Sequence, residues 1–547
     1  MKSKENTPEL TRTVISSPER GWRQFDHKGA RVTWVGHLYS SSIEVELARH
    51  VILGPDDLVR AVNSWIGCFG LIYETPNWTV ALTDPIRSYS IAYGNTESGV
   101  CIGPDPAAVA RFCRLDRWDS TQCTVFAMSG FTLAGGTLIQ GLHELTCGSA
   151  LIVKGSKVRH QVYHCYQPKP DVSGAQEGAD PALTAVLERM LSRLAADAGD
   201  RTVIVPLSAG LDSRLIITGL LEAGVRSIKT FANGLPGNYE AKASAEIAKR
   251  LGVEWTFVPQ TPQTQKKWFR SAQDHAYRAM AETMANVPFQ QDLPAVLELS
   301  KNRYVPDDAL FVNGQSGDFI TGGHIPLDLV QHPKVAFSDV VNRLVGKHYS
   351  LWADLKNPQA LELIEQCLRK DFEDAGIDLS GGAPAWSLYE TSEYRNRQVK
   401  YVVSGQRIYE FAGYDWRLPL WDRDFVDFWE HIDPCDKVGQ ALYRRTLQSL
   451  NWGKVWQGVD FPRFISPNWI RPVREAAKVF FVLRDRHHWQ DFDRRWFAYW
   501  MDVPANYAVT PFATVRNDKR GHRNAISWCV QDYMVGIGLN TQMGPSL

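Results

Sequence analysis

Apolar and polar positions divide the chain into two stretches of different period. Residues 1 to about 166 contain short apolar runs that are separated by turn residues, a pattern typical of a β-rich domain. The clearest runs cover residues 70–73, 78–82 and 150–154. From about residue 182 the apolar residues recur at steps of three and four, which predicts an amphipathic helix that begins near Pro181.

Short apolar runs then alternate with helical periodicities. We expect strands at 203–207, 228–232, 253–258 and 309–313, and helices at 214–221 and 241–251. Such alternation implies right-handed crossovers and a parallel sheet with helices on both faces. Beyond about residue 330 the pattern is mainly helical.

A segment rich in Pro, Gly and polar residues, 167–181, separates the two stretches and has the composition of a linker. The sequence therefore predicts three parts. An α+β, β-rich domain covers residues 1–166, the linker follows, and an α/β parallel-sheet domain with a helical C-terminal part covers residues 182–547.

Composition and charge narrow the classes of partner. The chain has 547 residues, with 60 Lys plus Arg against 60 Asp plus Glu, so its charge supports neither a nucleic-acid partner nor attraction to anionic membranes. No run of about 18 uncharged apolar residues exists, so we expect no membrane span, and the polar first residues predict no signal peptide. Nine cysteines stand singly, without a C-x-x-C pair, which favours reduced thiols in a cytoplasmic protein.

The strongest candidate for chemistry is the hexapeptide Ser208–Ser213, S-A-G-L-D-S, between a predicted strand and a predicted helix. A helix that begins near Ser213 presents unpaired amides and the positive end of its dipole, which suit phosphate. Gly210 permits a close backbone approach or a positive φ. Asp212 would repel a phosphate unless a cation lay between them, so it suggests Mg²⁺. An ordinary capped helix remains the alternative, because Ser and Asp are good N-caps.

A second loop, Asn313–Gly323, follows the last predicted strand and carries four glycines around Asp318. The carboxyl ends of neighbouring parallel strands share a crevice, so Asp212 and Asp318 would both face it. Two carboxylates and a polyphosphate make a plausible magnesium site. Other chemistries fit less well. The Walker pattern G-x-x-x-x-G-K-[ST] is absent, and Pro206 stands where a nucleophile elbow needs a glycine before Ser208.

The hexapeptide resembles the S-G-G-x-D-S pyrophosphate loop of ATP pyrophosphatases, with Ala209 in place of one glycine. Within that superfamily the chain resembles the asparagine synthetase family over about residues 180–450. The motifs that carry this resemblance are 208–213, 230–237, 313–323, 415–422 and 442–447. The resemblance implies an ATP-pyrophosphatase (adenine nucleotide alpha-hydrolase-like) fold for this part of the chain.

The same resemblance implies a reaction. ATP would adenylate a small-molecule or peptide carboxylate and release pyrophosphate, and ammonia or another amine would then displace AMP. Charge that builds on the leaving pyrophosphate suits stabilisation by Mg²⁺ and helix-end amides. A homodimer stays open as an oligomeric state. The family motifs place adenosine on Leu207, Asn233, Asn313 and Gly314, pyrophosphate on Ser208, Gly210, Asp212 and Ser213, and Mg²⁺ on Asp212 and Asp318.

Three further positions are candidate catalytic residues. The family has a lysine near the phosphates in the segment that corresponds to 442–447, where Arg444 or Arg445 stands and keeps the charge. The family's loop glutamate, which is expected to meet the substrate amine or act as a base, corresponds to Gln315. Because an amide takes no proton at neutral pH, Gln315 weakens a strict aspartate-to-asparagine assignment.

The N-terminal stretch resembles the family's N-terminal-nucleophile-like glutaminase domain in its later half, at 67–73, 83–88 and 138–145. Glutaminase chemistry needs a cysteine at position 2 as the nucleophile. Lys2 stands there, and no cysteine precedes Cys68. We therefore expect a degenerate glutaminase-like domain, with Cys68 as a core thiol.

The default expectation is asparagine synthesis from aspartate and ammonia. The first alternative is a specialised amide former, similar to β-lactam synthetase or lasso-peptide cyclase or acting on a sugar uronate, since such relatives also lose the cysteine. The second is an ATP-binding scaffold without catalysis, which Gln315 favours mildly and the intact Asp212 and Asp318 oppose.

Overall fold

The structure is a computed structural model of the chain. The residues that it describes are 10–39, 41–169, 179–290, 292–380, 382–457, 464–482, 486–501 and 507–539. Lys2 and most of the predicted linker, residues 170–178, lie outside the described residues.

The strands and helices of the described residues follow in chain order. The strands are β1 (Thr11–Val14), β2 (Arg23–His27), β3 (Ala30–Leu38), β4 (Gly67–Glu74), β5 (Trp78–Thr83), β6 (Ala92–Asn95), β7 (Gly99–Gly103), β8 (Leu142–Glu144), β9 (Ser149–Lys154), β10 (Lys157–Val162), β11 (Val203–Pro206), β12 (Ile228–Gly234), β13 (Glu254–Pro259), β14 (Leu310–Val312) and β15 (Asp415–Arg417). The helices are α1 (Ile43–Arg49), α2 (Pro55–Val62), α3 (Pro106–Cys113), α4 (Ser120–Ser129), α5 (Ala179–Ala198), α6 (Leu211–Glu222), α7 (Tyr239–Leu251), α8 (Pro262–Trp268), α9 (Ala272–Ala281), α10 (Leu293–Lys301), α11 (Gly317–Ile320), α12 (Leu327–Gln331), α13 (Phe337–His348), α14 (Pro358–Asp374), α15 (Ala385–Ser392), α16 (Arg407–Phe411), α17 (Arg423–Glu430), α18 (Pro434–Lys437), α19 (Ala441–Leu450), α20 (Ile470–Val482), α21 (Arg486–Trp496), α22 (Phe512–Asn517) and α23 (Ala525–Gly536).

The N-terminal stretch is built from two β-sheets with helices on their outer faces. One sheet has six strands in the order β10-β9-β5-β4-β3-β2, and the other has four in the order β1-β7-β6-β8. Side chains alternate across each strand: Ile72 of β4 shares a core with Ile102 of β7 between the sheets, whereas Leu71 packs with Leu58 of α2 on the other face. Val109 of α3 covers the outer face of the smaller sheet. The predicted β-rich character is confirmed.

The second half of the chain contains a parallel sheet, as predicted. Five strands lie in the order β13-β12-β11-β14-β15, and every neighbouring pair is parallel. The chain leaves β11 toward β12 on one side and later returns to β14 on the other side. The carboxyl ends of β11 and β14 therefore border a topological switch point, where such sheets open a crevice for ligands. The three-residue β15 adds an edge strand that the apolar pattern did not predict.

The helix after β11 begins two residues earlier than expected. Gly210 is its N-cap in extended conformation (φ −72°, ψ 171°), so α6 starts at Leu211 and Asp212 and Ser213 lie in its first turn. Because glycine has no side chain, the N-cap residue accepts no hydrogen bond from the first amides of α6. Gly210 is therefore not used for a positive φ; its value at this position is the absence of a side chain.

Buried ion pairs connect the N-terminal stretch to the helical part. The Glu144 carboxylate contacts the Arg87 guanidinium and lies 2.9 Å from the Lys400 ammonium, and all three side chains are fully buried. A second buried pair, Lys437 with Glu390 at 2.5 Å, lies within the helical part and is reached from the N-terminal stretch by Tyr166. Tyr166 donates to the same Glu390 oxygen over 2.7 Å. A buried charge is tolerated only when it is paired, so these contacts fix the two stretches against each other.

The helical part also contains an unusual turn. Residues Glu393–Val402 continue α15 as a π-helix. This form is rare in proteins, and where it occurs it is often at a functional site. In the part of the chain that the structure describes, no helix is both long enough and apolar enough to cross a membrane.

Candidate active site

A cavity of about 760 Å³ opens at the carboxyl ends of β11, β12 and β14. The predicted site residues that line it are Leu207, Ser208, Gly210, Asp212, Ser213, Asn233, Asn313, Gly314, Gln315 and Asp318. Segments that are about 100 residues apart in sequence thus meet at one crevice, at the switch point of the sheet. Of the predicted site residues, Arg444 and Arg445 are not part of this lining.

The loop after β11 is held in shape by its own serines. The Ser208 amide donates to Ser213 Oγ over 3.1 Å, and the Gly210 amide donates to Ser208 Oγ over 3.1 Å. The Ala209 amide donates to the carboxylate of Glu240 over 3.2 Å, so this loop amide already binds a negatively charged group. Two hydroxyls and the first amides of α6 therefore surround one end of the cavity, an arrangement suited to phosphate.

Asp212 and Asp318 come together across the crevice. The Asp318 amide donates to Asp212 Oδ2 over 3.0 Å, and the Tyr443 hydroxyl donates to Asp212 Oδ1 over 3.1 Å. Burial, followed by the negative charge of Asp318, raises the pKa of Asp212 to about 7. Gly314 makes this approach possible, because a Cβ there would lie 3.0 Å from the Asp212 carbonyl carbon.

This pair of carboxylates fits a Mg²⁺ ion that is shared with a nucleotide. Mg²⁺ is usually held by one or two carboxylates together with substrate phosphates, rather than by a cage of protein ligands. Within the described residues, no group of three or more His, Cys, Asp or Glu side chains could hold a metal ion. Asp212 and Asp318 are therefore the two residues that could hold such an ion together with phosphate oxygens.

A network behind Asp318, centred on the buried Glu393, was not predicted from the sequence. His324 Nε2 lies 3.1 Å from Asp318 Oδ2, and its Nδ1 contacts Glu393 at the start of the π-helix. His348 and Lys347 reach the other oxygen of Glu393, at 3.0 and 3.3 Å. Burial lowers the pKa of His324, but its hydrogen bonds with Asp318 and Glu393 prevail and raise it to about 9. The His324 contact holds the Asp318 carboxylate in place. In the sequence, only the position of His324 directly after Gly322 and Gly323 indicated that this histidine lies close to the loop.

The opposite end of the cavity carries amide side chains suited to a nucleobase. Asn233 donates to Asp292 Oδ1 over 3.0 Å, and burial raises the pKa of Asp292 to about 6. Asn313 donates to the Tyr409 hydroxyl over 3.0 Å and accepts from the Gln315 amide over 3.1 Å. Asn233 lies near the end of β12, and Asn313 directly follows β14.

The segment 442–447 reaches the site through a residue that was not expected. The buried Tyr443 contacts Asp212, whereas Arg445 is 52% exposed and pairs with Asp180 and Asp436. Arg444 donates to the Gly439 carbonyl over 3.2 Å. The structure thus brings neither guanidinium into the lining of the cavity, although the charge of Arg444 still acts on Asp212 and favours its ionised form.

Gln315 lies in the cavity wall and is held by a second amide. The Nε2 of Gln406 donates to the Gln315 side-chain oxygen, and Gln406 itself is buried. A carboxylate at position 315 could accept a proton from an attacking amine, but this amide pair offers no base. The Gln315 side chain therefore offers hydrogen bonds to a neighbouring group but no base.

Cys68 is a core thiol, as expected. It is 5% exposed, and burial raises the pKa of its thiol. The cavity beside it has a volume of about 30 Å³, room for only about one or two waters. Trp416 and His37 pack nearby with ring centroids 5.5 Å apart. The residues around Cys68 therefore form packing rather than a site for glutamine.

Comparisons with known proteins agree with the geometry of the second half. A family model described as Asparagine synthase matches residues 183–451. This part of the chain is therefore an asparagine synthase domain. No curated protein matches the chain.

Two solved structures were also matched. One is described as the allosteric regulatory enzyme of purine biosynthesis, at 10% identity and a TM-score of 0.19 over 43% of this chain and 62% of that one. The other is glutamine phosphoribosylpyrophosphate amidotransferase from B. subtilis with ADP and GMP, at 10% identity and a TM-score of 0.19 over 53% of this chain and 63% of that one. The chain spans a little under two thirds of the length of each, and similarity at this level carries no argument.

Proposed function

We propose, on the premise that residues 183–451 place this chain in the asparagine synthase family, that the protein joins a carboxylate to an amine through an acyl-adenylate. The observation that carries this proposal is the meeting of Asp212 and Asp318 beside the serine-rich loop, at the switch point of a parallel sheet. Such a site combines phosphate donors with two ligands for Mg²⁺.

The residues then divide the work as follows. Asn233 and Asn313 bind the adenosine end, while Ser208, Ser213 and the first amides of α6 bind the β- and γ-phosphates. A carboxylate oxygen of the substrate attacks the α-phosphorus, and pyrophosphate leaves with its bridging oxygen. The amine nitrogen then attacks the acyl carbon, AMP leaves with the carboxylate oxygen, and the amine loses a proton to solvent. Preorganised amides and hydroxyls stabilise the charge that develops on pyrophosphate.

Aspartate with ammonia is the first substrate pair to test, because it is the family's own. A specialised amide former is the second candidate, and the pairing of Gln315 with Gln406 favours it. This pair removes the base expected beside the amine, so the amine would have to arrive neutral or lose its proton elsewhere.

The test is release of AMP and pyrophosphate from ATP and Mg²⁺ with L-aspartate, in parallel with ammonium and with glutamine. AMP and asparagine with ammonium alone would support ammonia-dependent asparagine synthesis. AMP with glutamine would contradict a degenerate N-terminal site. Absence of AMP with both would exclude aspartate and move the search to other carboxylates.

Asp212→Ala separates an enzyme from a scaffold. We expect it to abolish AMP release, because it removes one of the two carboxylates. The matched control is Asp328→Ala on α12, which removes a 43% exposed carboxylate that pairs with Arg343. Unchanged activity in Asp212→Ala would overturn the metal assignment.

A further inference from the structure

The cavity continues beyond the nucleotide groups into a wall of aromatic and aliphatic side chains. Phe289 and Tyr401 form its beginning, and Tyr499, Trp500 and Ile526 extend it. The last three residues come from the segment after residue 451, where the match to the asparagine synthase family ends. This part of the cavity is therefore supplied by the chain's own C-terminal elements rather than by the family domain.

The apolar wall starts where the reacting groups must meet. Gln406, which holds Gln315, follows Gly405, and a Cβ at Gly405 would lie 3.5 Å from the Phe289 ring. Phe289 in turn packs on Tyr401 with ring centroids 4.9 Å apart. Gln315 and these rings thus line the same cavity and are linked through the Gly405–Gln406 backbone.

The rings of the wall are fixed by their own contacts. The Arg397 guanidinium lies 4.1 Å from the centroid of Tyr401. Tyr499 and Trp500 both pack on Phe512, with centroids 5.2 and 5.1 Å apart, and the Tyr499 hydroxyl donates to the Thr510 carbonyl over 3.1 Å. A pre-formed apolar surface binds an apolar group without the cost of ordering the surface first.

The charges of the cavity do not suit a small acidic substrate. Among the described side chains of the lining, the charged ones are Asp212, Glu240, Arg278, Asp292 and Asp318. The one cation among these, Arg278, already pairs with Asp274 at 3.1 Å and with Asp532 at 2.9 Å. A second carboxylate on a small substrate would therefore meet more negative than positive charge, whereas an apolar body would meet matching walls.

We infer that the carboxylate substrate carries an aromatic or aliphatic body, larger than the side chain of aspartate, which packs against Phe289, Tyr401, Trp500 and Ile526. This inference rests on the proposed function, because it assigns the acyl substrate of the same site. The wall would then select the substrate by size and apolar character, while the serine-rich loop and the two aspartates bind ATP whatever the acyl group.

The test compares propionate with 3-phenylpropionate, which carry one carboxylate each and differ by one phenyl group, and includes L-aspartate. The first readout is exchange of labelled pyrophosphate into ATP. The second is calorimetric binding of each acid in the presence of a non-hydrolysable ATP analogue. We expect 3-phenylpropionate to be preferred by at least about tenfold, the scale at which an apolar pocket discriminates.

Ile526→Trp fills the wall and should remove this preference without changing the affinity for ATP. Its matched control is Val535→Trp on the same helix, α23, where the side chain is 56% exposed and outside the lining. Preferential binding without exchange would sustain the inference and count against the adenylation chemistry. Equal binding of propionate and 3-phenylpropionate, or a preference that survives Ile526→Trp, would overturn the inference while leaving any exchange with aspartate to support the proposed function.

Discussion

Gly317→Ala should inactivate the protein by moving one carboxylate. A Cβ at Gly317 would lie 2.5 Å from both Cγ and Oδ1 of Asp212 and in overlap with the Leu420 side chain. To restore an ordinary contact, the Asp212 carboxylate must shift by about 1 Å. A misplacement of about 1 Å at a reacting centre costs about 10²-fold in rate, so we expect that loss in kcat for AMP release.

The fold should survive this change. The atoms in the way belong to the ends of two side chains, so the overpacking cost should stay within about 1–3 kcal/mol of unfolding free energy. The assay is AMP release at saturating ATP, beside a urea unfolding curve for the same preparation. Gly346→Ala in α13 is the matched control: a Cβ there meets nothing within 4 Å, and the helix gains about 1 kcal/mol. Wild-type AMP release by a folded Gly317→Ala protein would refute the role given to the position of Asp212.

Three further outcomes are expected. Lys437→Met should lower the unfolding free energy by about 3–5 kcal/mol in urea, since it leaves the buried Glu390 carboxylate without its cation, and Glu390→Leu in the same chain should recover most of that loss. Arg445→Ala should leave the rate of AMP release near the wild-type rate, because its guanidinium lies outside the cavity; a loss as large as that of Gly317→Ala would contradict this placement. Iodoacetamide should alkylate the exposed Cys435 well before the buried Cys68, as peptide mapping over a time course would show, and equal rates would contradict the packing around Cys68.

The parallel sheet and the centre of the site follow from local sequence pattern. Short apolar runs predicted β11, β12, β13 and β14 to within a few residues, because buried parallel strands are continuously apolar. Asp212 and Asp318 were expected to meet because the carboxyl ends of adjacent strands share one edge of the sheet. Each aspartate also lies in a short glycine-containing loop that directly follows a predicted strand, and such a loop can be recognised from the sequence alone.

Other parts of the site depend on distances that local pattern does not carry. Glu393 reaches His324 from 69 residues further along the chain, through a π-helix that has no compositional signature. Tyr443, Arg444 and Arg445 share one motif, but successive helix positions point about 100° apart, so the motif alone does not say which of them faces the cavity. The three-residue β15 is too short for an apolar period to appear.

The contact of Glu144 with Arg87 and Lys400 has a consequence for how the molecule melts. Unfolding of the N-terminal stretch alone would leave the Lys400 ammonium without its Glu144 counter-ion. The N-terminal stretch therefore cannot unfold first without leaving the Lys400 ammonium unpaired in the helical part. In a calorimeter we expect the two stretches to share a single heat-absorption peak, so that the linker marks a change in architecture but not a boundary of cooperativity.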